Sequence, residues 1–130
     1  MVTIIRGLPG SGKSTYARNN FPGILIVEAD MFAMIDGQYR FSIDRLSDCH
    51  WAAQQIAGLA IQLGADVVIT GTMTTRKEIA PYVNLANNLE QDYQILHCTG
   101  AHGTIHDVPE STIEKMRARW EPWDDEKIVE

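Results

Sequence analysis

Cysteine is scarce in this chain, with two among 130 residues, and basic residues are outnumbered, eleven Lys and Arg against seventeen Asp and Glu. Cys49 and Cys98 form no spacing pattern, which argues against a disulfide framework and leaves two reduced thiols as the expectation. The net charge of −6 argues against a protein that coats long nucleic acid, because such proteins neutralise many phosphates with lysine and arginine. A single nucleotide or one strand end remains compatible with that charge. Long apolar runs are also missing. Nothing approaches the ~20 residues that cross a bilayer. Met1 to Ile5 is a short apolar run with no basic leader, so no membrane partner is expected and the expected compartment is the cytoplasm. No internal repeat and no low-complexity linker divides the chain.

What remains is 45% hydrophobic and 22% charged, the composition of an ordinary globular domain. The length suits one domain with one core. We expect residues 1–121 to form it and the acidic stretch 122–130 to be a loosely ordered tail. Val2-Thr3-Ile4-Ile5 reads as a buried strand that runs into a glycine turn. A helix opens at Lys13 and stops near Phe21-Pro22-Gly23, and Ile24 to Val27 forms a second strand with Glu28-Ala29-Asp30 at its end. Ser42 is a plausible N-cap for a long helix on which Leu46, Cys49, Ala53, Ile56, Ala57, Ala60 and Leu63 recur at helical spacing. Val67 to Ile69 and Tyr93 to Cys98 are further strands. Between them a helix begins at Arg76, with Thr75 and Glu78 as a capping box, or at Pro81. A last helix starts near Pro109 and carries Ile113, Met116 and Trp120 on its apolar face.

Strands alternating with helices predict an α/β fold, a parallel sheet of about four strands with helices on both faces. Ligands then bind outside the carboxyl ends of the strands. The segment Gly7-Leu8-Pro9-Gly10-Ser11-Gly12-Lys13-Ser14 falls at that edge and is a complete phosphate-binding loop between a strand and a helix. Its glycines let the backbone curl so that successive N–H groups converge on phosphate oxygens. The helix that follows adds the positive end of its dipole. Lys13 is a mobile cation for the β- and γ-phosphates, and the Ser14 hydroxyl is placed to bind Mg²⁺. Gly7, Gly10, Ser11, Gly12, Lys13, Ser14 and Thr15 are therefore the expected nucleotide-binding residues. No guanine-reading Asn/Thr-Lys-x-Asp sequence occurs, which favours ATP.

Phosphoryl transfer to a hydroxyl needs a carboxylate near the γ-phosphate to orient the acceptor and take its proton. Asp30 is the candidate base, against the alternative of a capping or turn aspartate; Asp36, in an Asp-Gly pair, is an ordinary turn residue. His97, His102 and His106 match no zinc spacing and read as loop or capping histidines.

The phosphate loop, then Glu28-Ala29-Asp30-Met31-Phe32, Asp36-Gly37-x-Tyr39-x-Phe41, Cys49-His50-Trp51, Pro81-Tyr82-Val83 and His106-x-Val108-Pro109 resemble the P-loop polynucleotide kinases and the related domain of NEDD4-binding proteins. Ile113-x-x-Met116-x-x-Arg119-Trp120-Glu121 extends the likeness. The resemblance implies transfer of the ATP γ-phosphate to a 5′-hydroxyl of a nucleic acid or nucleotide, with Lys13 and Ser14 on phosphates and Mg²⁺ and Asp30 as base. Three positions depart from the pattern. Thr70-Gly71-Thr72 stands where an acidic residue is usual, Ala33 replaces an arginine that grips the acceptor, and no arginine lies between Arg76 and Arg117, where a lid segment normally carries them. Such arginines are worth ~10³–10⁵ in rate. A kinase of a nucleoside or other small alcohol, and a nucleotide-binding module with weakened catalysis that acts through a partner, are the competing readings.

Overall fold

The computed structural model describes residues 1–35, 38–39, 43–101 and 108–130. Strands β1 (Val2–Arg6), β2 (Leu25–Glu28), β5 (Val67–Gly71), β6 (Tyr93–Cys98) and β7 (Lys127–Val129) form one parallel sheet in the order β2-β5-β1-β6-β7. The helices are α1 (Lys13–Asn20), α2 (Ile43–Gln62), α3 (Arg76–Asn88) and α4 (Glu110–Ala118), with a 3₁₀ turn over Ala29–Ala33. Two short strands, β3 (Met34–Ile35) and β4 (Gln38–Tyr39), pair antiparallel. The Asp36-Gly37 pair between them lies outside the described residues, as do Phe41 and the proposed cap Ser42.

β1 is central because its sequence is apolar on both faces, with every residue from Val2 to Arg6 buried. Alternate side chains then serve two cores. Val2 and Ile4 join Val67, Ile69 and Ile95 against Ala53, Ala57 and Ile61 of α2 and Ile79, Tyr82 and Val83 of α3. Ile5 joins Val68 and Leu96 against Ala17 of α1. One face thus carries two helices and the other carries the phosphate-loop helix.

The buried stripe of α2 runs through Cys49, Ala53, Ala57, Ala60 and Ile61. Small residues dominate it because the helix lies close to α3, where a Cβ on Gly58 would touch Leu85 Cδ2 at 3.4 Å. Two expected members fall away from it. Ile56 is 38% exposed on the flank and Leu63 is 87% exposed, one residue past the helix end at Gln62. The Leu46 side chain lies outside the description.

α3 begins at Arg76, so Pro81 sits inside it and withholds one intrahelical donor. The capping box takes another form than expected. Thr75 Oγ1 donates to Glu78 Oε1 at 3.2 Å, while the first N–H of the helix, on Arg76, donates to Glu121 Oε1 at 3.0 Å. A carboxylate from the far end of the chain thereby caps α3, where the helix dipole favours it.

The expected loose tail is corrected by the structure. Lys127–Val129 is a fifth parallel strand on β6, and the Thr99 amide donates to the Val129 carbonyl at 2.9 Å. Upstream of it, the Glu121 amide donates to the Thr74 carbonyl at 2.7 Å, Arg76 donates to the Pro122 carbonyl at 3.1 Å, and the Arg76 guanidinium lies 4.6 Å from the centre of the Trp123 ring. The deepest tie is Arg6, fully buried at the end of β1. Its Nε and Nη2 donate to the Met73 carbonyl at 3.0 and 2.7 Å, Nη2 also reaches the Thr74 carbonyl at 3.2 Å, and Nη1 donates to Glu126 Oε2 at 3.0 Å. Trp120 covers the guanidinium at 4.0 Å and stacks on His97 at 4.6 Å. Trp120 is therefore a half-buried lid over a charge rather than a member of the apolar core. Burial lowers the Arg6 pKa while the Glu126 hydrogen bond and charge oppose the shift, and guanidinium stays protonated in any case.

Glu126→Ala leaves that buried guanidinium short of its counter-charge. We expect a loss of about 3 kcal/mol in unfolding free energy, the scale for breaking a buried pair from one side. Urea denaturation checks it, and a midpoint equal to that of the unmodified chain would show that the pair holds nothing together.

Candidate active site

The phosphate loop leaves the central strand at Arg6 and enters α1 at Lys13. The order in which strands are added reverses around β1, with β2 and β5 on one side and β6 and β7 on the other, while all five run parallel. The crevice between β1 and β6 is thus the switch point of the sheet. Gly10 and Gly12 adopt left-handed backbone, φ 81° and 89°, and Gly12 is the N-cap of α1. Residues with a Cβ resist that conformation. Gly7 is needed for room instead. A Cβ there would collide with Ser11 Oγ and lie 2.6 Å from the Cys98 carbonyl oxygen. Cys98, expected as a buried or idle reduced thiol, is buried and part of this support, and its Sγ donates to the Ser11 carbonyl at 3.0 Å. Both cysteines are buried and unpaired.

Each expected nucleotide-binding residue can now be placed. Ser11 is buried and its Oγ has no hydrogen-bond partner among the described residues. Lys13 is half-buried and lies across the loop, its Nζ donating to the carbonyls of Gly7 and Leu8 at 2.9 and 3.1 Å. Burial lowers its pKa, and Asp30 foremost opposes the shift, followed by Cys98 and Glu28. Asp30 is exposed, on the 3₁₀ turn just past β2, and is electrostatically coupled to Lys13. Ser14, the second residue of α1, donates its hydroxyl to Glu28 Oε1 at 2.6 Å. Thr15 is exposed, and its Oγ1 accepts from Arg18 at 3.4 Å.

Thr15 also lines a cleft of about 690 Å³ together with Gly12, Tyr16, Asn19, Asn20, Thr99, Gly100, Ala101 and Glu130. Its size is that of a small-molecule site. It opens between α1 and the end of β6, on the outer side of the loop. On the other side, Phe32, Arg45, Asp48, Cys49, Trp51 and Ala52 line a shallower groove of about 380 Å³ between the 3₁₀ turn and α2. Arg45 donates to the Phe32 carbonyl at 2.9 Å across it. Of the three tryptophans, Trp120 and Trp123 are covered by arginines of the chain itself, whereas Trp51 is 63% exposed at this groove.

Two groups that bear on the site escaped the sequence reading. Glu28 stands at a strand end in sequence, yet it is the acid on Ser14. Arg6 carries no role in the sequence pattern, yet it holds the root of the loop. An arginine immediately before a glycine-rich loop, in an otherwise apolar strand, was the available signal for the second. Among the cations near the carboxyl edge, Arg117 pairs with Glu114 on the surface of α4, while Arg119 Nε donates to Thr74 Oγ1 at 3.0 Å, just beyond β5. The loop expected to act as a lid is described only through Ala101, and His102 and His106 lie outside the described residues. His97 is half-buried beneath Trp120, with Nδ1 3.9 Å from Glu126 and its pKa lowered by burial. Among the described residues no group of three His, Cys, Asp or Glu side chains converges on a metal position. No helix among them is long and apolar enough to cross a membrane.

Chains of known kind share this arrangement. Human NEDD4-binding protein 2 is 33% identical over 100 residues, which is 74% of this chain and 6% of that much longer protein. In the structure of the Pnkp1/Rnl/Hen1 RNA repair complex, one chain superposes with a TM-score of 0.72 at 21% identity, over 91% of this chain and 43% of that one. A gluconokinase from Sinorhizobium meliloti 1021 superposes with a TM-score of 0.64 at 17% identity, covering 98% and 81% of the two chains. The fold is that of P-loop kinases, and the resemblance to the polynucleotide kinase-like group holds. A family model described as an AAA domain matches residues 2–123, and the chain accordingly belongs to that family, AAA_33.

Proposed function

We propose that this domain is an ATP-dependent phosphotransferase that moves the γ-phosphate to a 5′-hydroxyl of a nucleic-acid end or nucleotide. The observation that carries the reading is that Lys13, Ser14 and Asp30 lie at one edge of the sheet, where the Asp30 charge acts on Lys13. The residues fit the nucleotide. Gly7 leaves the cradle open, Ser11 keeps a buried hydroxyl without a partner among the described residues, and the cleft beside Thr15 and Tyr16 has room for a purine ring. They also fit Mg²⁺, a hard cation that takes oxygen ligands, since Ser14 and Glu28 offer only oxygens. When bound, Mg²⁺ would supply neutralising charge for the phosphates.

In this reading the loop amides and Lys13 hold the phosphates, and Lys13 offsets charge that gathers on the transferring group. Asp30 orients the acceptor hydroxyl and takes its proton as the acceptor oxygen bonds to the γ-phosphorus and the bond to the bridging oxygen breaks, releasing ADP. The exposed Trp51 ring at the edge of the groove beside the 3₁₀ turn supports an acceptor with a base to stack. RNA repair, named for the complex that contains the Pnkp1 neighbour, supports the same acceptor class. The net charge of −6 favours a strand end or single nucleotide over a long strand. Arg117 and Arg119 are the cations that could replace the missing lid arginines, and Arg119 is anchored at Thr74. One sequence feature favours a second reading, a nucleotide-binding module with weakened catalysis, namely the absence of any arginine between Arg76 and Arg117.

Radiolabelled ATP incubated with a 5′-hydroxyl oligonucleotide and, separately, with mixed nucleosides separates these readings. Label on the oligonucleotide is expected. Label on nucleosides alone would shift the acceptor to a small alcohol, and none on any acceptor would leave the binding-module reading. Lys13→Ala should weaken ATP binding about tenfold or more, on the order of 1.4 kcal/mol, without unfolding the chain. Calorimetric titration of the folded variant measures it, and unchanged affinity would remove Lys13 from the phosphates. Asp30→Asn is expected to slow transfer by ~10² or more while ATP affinity stays within a few-fold. Single-turnover assays decide this one. Undiminished transfer would put the base elsewhere, and a collapse of ATP affinity would make Asp30 part of the nucleotide site.

A further inference from the structure

We propose that Glu28 is the acidic group of the Mg²⁺ site, positioned on β2 because β5 provides none. The assignment rests on the metal-nucleotide reading above and adds a residue to it. In phosphate-loop proteins the Mg²⁺ that accompanies the nucleotide is held by the hydroxyl at the start of the helix together with a strand-end carboxylate, directly or through its waters. The hydroxyl here is Ser14. At the carboxyl end of β5, where the sheet approaches the loop, the chain runs Thr70-Gly71-Thr72 and carries no charge. β2 is the neighbour of β5, and Glu28 is paired in register with Thr70. A carboxylate on that rung reaches the same edge from one strand over. The side-chain geometry bears this out, since Ser14 Oγ donates to Glu28 Oε1 at 2.6 Å.

Electrostatics make a purely structural role for Glu28 costly. A carboxylate beside the seat of a triphosphate repels it unless a cation lies between them. Lys13 makes no ion pair with Glu28, although the Glu28 charge acts on it, and its ammonium donates to the carbonyls of Gly7 and Leu8. None of the ion pairs among the described residues involves Glu28. Asp30, two residues on, is exposed on the 3₁₀ turn and faces the acceptor side in the proposed reaction, so the two acids divide the work between metal and proton.

The test is the Mg²⁺ requirement of nucleotide binding, followed calorimetrically on the whole chain with a non-hydrolysable ATP analogue, across a Mg²⁺ series and in EDTA. Glu28→Gln keeps the shape and an acceptor for Ser14 but removes the charge. The Mg²⁺ concentration for half-maximal binding is expected to rise about tenfold or more, the usual consequence of losing such a partner. Affinity in EDTA should stay the same or tighten, because a repulsive charge has gone. A variant that needs no more Mg²⁺ than the unmodified chain would overturn the assignment while leaving the phosphate-loop reading intact. An unmodified chain that binds the analogue equally with Mg²⁺ and in EDTA would overturn the metal-nucleotide reading itself, and Glu28 with it. If Glu28→Gln does not fold, Glu28→Asp takes its place. It keeps the charge but draws it back by one methylene, and an unshifted Mg²⁺ requirement there would equally overturn the assignment.

Discussion

A guanidinium with no exposed surface sits at the end of the central strand, one residue before the phosphate loop. Arg6 cannot be left there unpaired, since an isolated buried charge costs several kcal/mol. Its donors therefore dictate where three other segments go. The carbonyls of Met73 and Thr74 turn toward it, which sets the turn between β5 and α3. Trp120 lies over its face, which fixes the exit from α4. Glu126 supplies the counter-charge, which brings the end of the chain back to β6 as a parallel strand. Segments more than a hundred residues apart in sequence meet at one planar fork with five N–H donors, a geometry lysine does not offer.

The site inherits its shape from that knot. With β1 pinned at Arg6, Gly7 must leave the sheet in the narrow space between Ser11 and the Cys98 carbonyl, and Gly10 and Gly12 complete the curl in left-handed backbone. The carboxyl end of β6 carries the wall opposite α1, and β7 brings Glu130 to the rim of the same cleft. Across the loop, the register of β2 against β5 decides which side chain faces Ser14, and it selects Glu28. The acidic balance of the whole chain thus has a local expression. The charges of Glu28 and Asp30 both act on Lys13, and the described cations Arg6 and Arg76 are spent on holding structure.

Sequence alone determined whatever depends on neighbours along the chain. The phosphate loop was legible because its function is performed by backbone amides and a following helix, and the glycines that permit this are fixed in spacing. Alternation of short β-branched runs with amphipathic helices determined the α/β class, and β6 was read to its ends, Tyr93 to Cys98. Tertiary structure decided the rest. β7 is three residues in an acidic segment, too short for any periodic signal, and it is a strand only because Arg6 and β6 stand beside it. The cap of α3 comes from Glu121, forty-five residues away, so no local pattern announced it. Ile56 and Leu63 matched the helical period but not the width of the surface that α2 covers. The pairing of Glu28 with Ser14 likewise required the strand register, since a one-residue slip would turn the carboxylate to the opposite face of the sheet.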